Sequence, residues 1–309
     1  MSKQLQNLIH GRETYIKYWG DFVMKHPLPT LDAEKRISWL EKQNRTKLII
    51  DEIYAVGNPR YNIPRMHHIE EDEFKILEER APGIPLTAEL YKSLTRRQQY
   101  EIIDSIAAFL VDMNELKPIG EIVSHKISDD IKFSRLDSFV NNKMNRWFSV
   151  SETNNLARIR DEVGTFEYET RLAWSHGDLN SGNVLYDPNS SKISFIDFAE
   201  ADFKFIYRDI FAPLQIELDI WKPVYEAYIK MHNKDIYNMP SPRNPQLRNI
   251  MKYRLLTTLL RRIIKASDDL RINPVNQNSI DNNNAKIAFI REQLKKIKYV
   301  EQLIKINTK

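Results

Sequence analysis

Short runs rich in β-branched and aromatic residues open the chain. ETYIKYW (13–19) and DFVMK (21–25) flank Gly20–Asp21, which predicts a β-hairpin turning there. The period then lengthens. AEKRISWLEKQ, from Ala33, and TKLIIDEIYAV, ending before Gly57–Asn58–Pro59, read as two helical runs, with Thr30 or Asp32 as the N-cap of the first. FKILEE (74–79) reads as a buried strand broken by Ala81–Pro82–Gly83. Beyond that joint helical spacing dominates. Ile102, Ile103, Ile106, Phe109, Leu110 and Met113 share one face of a helix, and Leu255, Leu256, Leu259, Leu260, Ile263 and Ile264 form a second apolar stripe. Ile287, Ile290, Leu294, Ile297 and Val300 mark a last amphipathic helix, after a polar stretch, NPVNQNSIDNNN (273–284), expected to be a loop with nothing to drive its packing. No internal repeat is present. The pattern predicts an α+β, bilobal chain: a small mixed β/α lobe over residues 1–80 and a larger, mainly helical lobe over 81–309.

Composition narrows the chemistry. With 309 residues, 42% of them hydrophobic and 28% charged, the chain can bury the core of two lobes. It has no cysteine, which excludes disulfides, thiolate metal sites and cysteine nucleophiles. MSKQLQNLIHG lacks the apolar core of a signal peptide, and no apolar run approaches the roughly 20 residues of a membrane span, so a cytoplasmic protein without a membrane partner is expected. The net charge is only +4, but residues 215–309 carry 18 Lys and Arg against 9 Asp and Glu. That excess is either a set of solvated helix faces or an electropositive surface for an anionic substrate or partner.

The chemistry concentrates in SHGDLNSGNVLYD (175–187) and ISFIDF (193–198). Phosphoryl transfer asks a protein for a carboxylate beside the attacking hydroxyl, hard oxygen ligands for magnesium and donors for the phosphates. Asp178 would leave the strand-like RLAWS run on a loop, where a base is well placed. NVLYD and KISFIDF predict a hairpin turning at Asp187–Pro188–Asn189, which would bring Asp197 back beside Asn183 and offer two oxygen ligands. His176 is expected to hold the loop by hydrogen bonds.

His-Gly-Asp followed five residues later by Asn183, and then Ile196-Asp197-Phe198, resembles the motif of the aminoglycoside phosphotransferase and choline kinase family, a branch of the protein-kinase-like fold. The likeness is strongest over 172–210, where Arg208-Asp209-Ile210 also resembles the family's structural aspartate. The resemblance implies Asp178 as catalytic base, Asn183 and Asp197 as magnesium ligands, and ATP, with GTP as the other candidate, as phosphoryl donor. It further implies a nucleotide-binding lysine on a strand, which FVMKHP supplies as Lys25, with a glutamate of the next helix as its ion-pair partner. Glu41 has the family's usual spacing, and Glu52 and Glu34 are alternatives. Gly11 would tip the phosphate-covering loop. ILEERAPGIPL (76–86) resembles the family's hinge, where the carbonyl of Glu79 and the amide of Ala81 would meet the adenine.

Two departures from protein kinases point to a small acceptor. Gly177 stands where those enzymes carry the arginine that reads activation-loop phosphorylation, and only eleven residues separate Asp197 from Asp209. A small-molecule acceptor is therefore expected. Polycationic aminoglycosides suit the basic C-terminal third poorly; a neutral or anionic sugar or an amino alcohol suits its charge better. Trp221, Tyr225, Tyr228 and Tyr237 could form an aromatic cage for a quaternary amine, or simply a core. A kinase acting on protein and a non-catalytic scaffold are the alternatives; for nucleic acid there is neither a motif nor a set of aromatics in a basic groove.

Overall fold

The hairpin expected around Gly20 forms from β2 (Thr14–Trp19) and β3 (Phe22–Pro27), in antiparallel register with Trp19 opposite Phe22. These strands belong to a computed structural model that describes residues 6–10, 13–70, 74–116, 122–126, 147–165, 167–205, 208–231, 245–271 and 276–305. β1 (Gln6–His10), β5 (Met66–Glu70) and β6 (Lys75–Glu79) complete a five-stranded sheet in the order β1-β2-β3-β6-β5. Gly11 lies outside the described residues.

The two helical runs read in 33–56 are one helix, α1 (Ala33–Val56). Neither glycine nor proline interrupts Gln43-Asn44-Arg45, and the polar positions that weakened the pattern are used: Gln43 and Thr46 are buried with Trp39, Ile49, Ile50 and Ile53 on one face. Of the two candidate caps, Asp32 accepts the Lys35 amide at 2.9 Å, and Gly57 closes the helix in the left-handed conformation.

After the joint, α2 (Ala88–Ser93) and α3 (Arg96–Glu115) follow, the latter opened by a Thr95/Gln98 capping box. A four-stranded sheet has the order β4-β11-β10-β7, built from β4 (Tyr61–Asn62), β7 (Ile84–Pro85), β10 (Val184–Asp187) and β11 (Lys192–Phe195). Phe109 of α3 stacks on Phe195 with ring centroids 3.8 Å apart, and Tyr61 meets both rings edge-on, so the α3 face packs directly beneath the hairpin that carries the site. Gly83 holds the joint close to this sheet. Its φ is +106°, and a Cβ there would lie 2.5 Å from the Tyr186 carbonyl oxygen.

The chain divides into two compact units. The first comprises residues 1–121 and 172–234 and holds everything above, together with Leu172–Ser175 of β9 (Glu167–Ser175) paired with β12 (Asp202–Phe205). The second comprises 122–171 and 235–309: β8 (Ile122–Lys126) paired with residues 167–171, α4 (Val150–Gly164), and the later helices α7 (Pro245–Asp268) and α8 (Gln277–Lys305). Between these, α5 (Pro213–Glu217) and α6 (Trp221–Met231) belong to the first unit. In α7 the stripe Leu255, Leu256, Leu259, Leu260, Ile263 and Ile264 is buried, as are Ile290, Leu294 and Ile297 of α8.

The polar loop expected over 273–284 is corrected from Gln277 onward, residues 273–275 lying outside the described residues. Residues from Gln277 are already helical. Asn276 caps them by accepting the Ser279 amide at 2.9 Å, and buried Asn283 exchanges two hydrogen bonds with the backbone of Arg271. Asparagines that read as solvent-seeking are satisfied by backbone groups instead. Among the described residues no helix is long and apolar enough to cross a membrane.

Candidate active site

β9 delivers the chain into a loop that two buried residues pin on either side of an exposed carboxylate. His176 is fully buried; its amide donates to Asp209 Oδ2 at 2.6 Å, and its Nε2 lies 3.0 Å from the Ile196 carbonyl oxygen. Because that oxygen can only accept, Nε2 carries the proton and Nδ1 faces the Asp178 amide at 3.4 Å. The ring lies 6.1 Å from that of Phe109 and 4.6 Å from that of Phe198. Leu179 is equally buried, and its carbonyl accepts the Leu214 amide from α5. Asp178 projects between these anchors into solvent.

Burial holds the His176 imidazole below its ordinary pKa, outweighing the negative field of Asp209. The unfolded chain takes up this proton near pH 6.5, the folded chain only at lower pH. The stabilisation is therefore complete above about pH 6.5 and is lost as pH falls below it, by at most about 1.4 kcal/mol per pH unit. The urea midpoint of the wild type should fall between pH 7 and 5.5, and that of His176→Gln should fall less.

Gly177 sits at φ +82°, where a Cβ would run into the Glu200 carbonyl, and its own carbonyl accepts from Arg208 Nη2 at 3.1 Å. No side chain fits here, arginine included. Gly177→Ala combines a left-handed alanine, about 1–2 kcal/mol, with displacement of the 198–200 turn. It should lower the thermal midpoint and depress turnover together.

Asn183 turns back onto Asp178. Its Nδ2 donates to the Asp178 carbonyl at 2.9 Å and to the carboxylate Oδ2 at 3.1 Å, and among the described residues Oδ1 is left free to accept or to ligate. Asn180 shapes the bend, donating to the Asp178 carbonyl and accepting the Gly182 amide. The hairpin turns where expected: Asp187 accepts from Asn189 N and Ser190 Oγ, and Val184 pairs with Phe195. Ile196 N then donates to the Asn183 carbonyl at 3.0 Å, so the residue before Asp197 is bonded to Asn183. Asp197 is exposed and adopts φ 63°, ψ 67°. The turn after it, Phe198–Glu200, is latched by α1: Thr46 Oγ1 donates to the Phe198 carbonyl at 3.1 Å and Lys42 reaches Glu200 at 3.5 Å.

Lys25 is on β3 as expected, but its partner is not on α1. Its Nζ lies 2.7 Å from Oε2 of Glu78 on β6. Burial alone would lower its pKa; Glu78 and then Asp197 outweigh it and hold the ammonium above its ordinary value. Glu41, and the alternatives Glu52 and Glu34, are exposed. Glu41 is two residues from buried Trp39, about 200° around the helix, so it points away from the sheet. Glu78 shares the inward face of β6 with buried Ile76, which stands directly opposite Lys25. The missed signal is the alternation of KILEE, which turns an acidic residue inward.

Glu79 and Ala81 follow at the end of β6. The Glu79 amide is used by the Arg65 carbonyl and its carboxylate by Arg65 N and His67, whereas the Ala81 amide has no hydrogen bond among the described residues. Among the described residues no three His, Asp or Glu gather as a metal cage. Two hard oxygens, from Asn183 and Asp197, fit magnesium, which keeps its remaining positions for phosphate and water.

The profile of the phosphotransferase enzyme family matches residues 17–240. The chain belongs to this family. As one of its phosphotransferases it shares the α+β, protein-kinase-like fold with solved enzymes at low identity. Wild-type aminoglycoside 2'-phosphotransferase-IIIa in complex with GDP superimposes with a TM-score of 0.65 at 16% identity, over 95% of this chain and 94% of that one. ADP-bound aminoglycoside phosphotransferase APH(2'')-Ib gives 0.53 at 12%, over 94% and 95%. A choline/ethanolamine kinase family protein from Mesorhizobium loti gives 0.55 at 11%, over 97% and 92%. No curated protein matches this phosphotransferase by sequence.

Proposed function

We propose that this phosphotransferase transfers the γ-phosphoryl group of ATP, with magnesium, to a hydroxyl of a small molecule. The observation that carries this reading is the pair of bonds from Asn183 to the carbonyl and carboxylate of Asp178, one residue from the hairpin's return to Asp197. Asp178, exposed on a pinned loop, accepts the proton of the acceptor hydroxyl and orients its oxygen in line with the phosphorus. Asn183 and Asp197 would hold magnesium, which would supply positive charge against the phosphates. Lys25, kept protonated by Glu78 and Asp197, donates to the phosphates. Glu79 and Ala81 are assigned to the adenine, the free amide of Ala81 as donor; GDP and ADP in the solved relatives support a purine nucleotide here. Gly11 is assigned to the loop over the phosphates.

The small acceptor is supported by the stretch between Asp197 and Asp209. Four of its eleven residues are β12, paired with β9, which leaves little chain to dock a peptide. The basic excess over 215–309 favours a sugar or amino alcohol over a polycation. Magnesium-dependent ADP release against separate pools of sugars, amino alcohols and aminoglycosides tests this. Turnover is expected in one of the first two pools. Turnover with aminoglycosides alone would overturn the acceptor class while leaving phosphoryl transfer intact.

A further inference from the structure

Lys25 takes its partner from β6, and α1 meets the candidate site elsewhere. Thr46, buried on the inward face of α1, offers one hydroxyl proton to two carbonyl oxygens. One belongs to Lys42, a turn back, at 2.9 Å; the other belongs to Phe198, at 3.1 Å. Threonines inside helices commonly bond the carbonyl four residues back, which in a helix already takes a backbone amide. What this hydroxyl adds is the bond to Phe198. Lys42 also reaches Glu200, but that pair is partly in water and holds weakly, which leaves Thr46 as the buried tie.

Phe198 directly follows Asp197 and is fixed at both ends. Its ring is buried, 4.6 Å from that of His176 and 6.0 Å from that of Phe109. Its carbonyl accepts from the Ala201 amide at 2.9 Å and from Thr46, which uses both lone pairs. Asp197 lies in the left-handed region, a conformation that a non-glycine residue keeps only where its surroundings over-determine it. On one side Ile196 is bonded to Asn183; on the other Phe198 is bonded to α1. The Asp197 side chain makes no cap bond to the turn it opens, so the backbone on either side sets its aim.

We infer that Thr46 is a positioning residue for the metal site: through the Phe198 carbonyl it fixes the backbone that aims the Asp197 carboxylate. This rests on the reading of Asp197 as a magnesium ligand. α1 thereby bears on the metal side of the nucleotide, while Lys25 and Glu78 form a separate hold on the phosphates that Thr46 does not touch.

The test is calorimetric titration of ADP into the full chain, once with magnesium and once with EDTA, for the wild type, Thr46→Val, Thr46→Ala, Thr46→Ser and Asp197→Ala. Valine keeps the shape of threonine without its hydroxyl, serine keeps the hydroxyl, and thermal melts confirm that each variant folds. ADP is expected to bind the wild type more tightly with magnesium, and Asp197→Ala to abolish that gain. Thr46→Val and Thr46→Ala should each cut the gain about fivefold, the worth of one hydrogen bond, with the affinity in EDTA unchanged and Thr46→Ser restoring the wild-type value. A readout without metal or nucleotide goes with it: hydrogen exchange over residues 198–201 should quicken in Thr46→Val and not in Thr46→Ser. The inference is overturned if the valine and alanine variants keep the full gain. It is equally overturned if they weaken ADP alike with and without magnesium, or if serine fails to restore the gain. Should Asp197→Ala keep the gain, the metal assignment itself falls and the inference with it; failure at Thr46 alone leaves that assignment standing.

Discussion

Asp178→Asn should lower kcat about 10³-fold while leaving the Kd for MgADP within about twofold of wild type. A positioned base supplies about 10²–10⁴ in rate, and under the proposed function the substitution removes the group assigned to take the hydroxyl proton. The substitution keeps the loop's shape. Asparagine retains an oxygen to accept from Asn183 Nδ2, and the bond from Asn183 to the 178 carbonyl does not involve the side chain. The anchors on either side, His176 and Leu179, are untouched. Steady-state turnover beside fluorescent-nucleotide binding measures both quantities. Unaltered turnover would exclude Asp178 as the base, and a parallel loss of nucleotide affinity would give it a structural role.

Glu78→Ala should cost about 3–5 kcal/mol of stability, because it strands a buried ammonium rather than merely deleting a contact. Side-chain exposures of 12% and 6% leave water little chance to replace the carboxylate. Without Glu78, burial is opposed by the weaker field of Asp197, and Lys25 loses the contact that aims it. Nucleotide affinity should therefore fall as well, by about tenfold or more. Glu41→Ala is the control: an exposed residue on the far face of α1, its loss should leave the urea midpoint and the nucleotide Kd unchanged. A strong effect at Glu41 and none at Glu78 would return the lysine's partner to the helix.

The catalytic loop and hairpin were legible because their geometry is local. Five residues from Asp178 to Asn183 and a four-residue strand on each side of a tight turn leave few ways to fold, and Asp187 caps that turn from within it. The β2–β3 hairpin was readable for the same reason. What could not be read depends on groups distant in sequence. Lys25 and Glu78 are brought together by the β3–β6 register, and a helical spacing rule borrowed from the family pointed to Glu41 instead. α1 looked like two helices because Gln43 and Thr46 are polar; Thr46 is buried because it meets the Phe198 carbonyl, 152 residues later. The start of α8 was hidden likewise, since Asn283 is polar by composition but its partner is the backbone of Arg271. In each case a polar side chain on an inward face had a partner that no short window contains.

Where the phosphoryl group goes separates a small-molecule kinase from its alternatives. A single-turnover reaction with γ-³²P-ATP, magnesium and the pooled acceptors, resolved into small molecules, protein and free phosphate, answers this directly. Label should pass to a small-molecule phosphoester in the wild type and stay on ATP in Asp178→Asn. Label on protein, or free phosphate with no labelled metabolite from any pool, would contradict it.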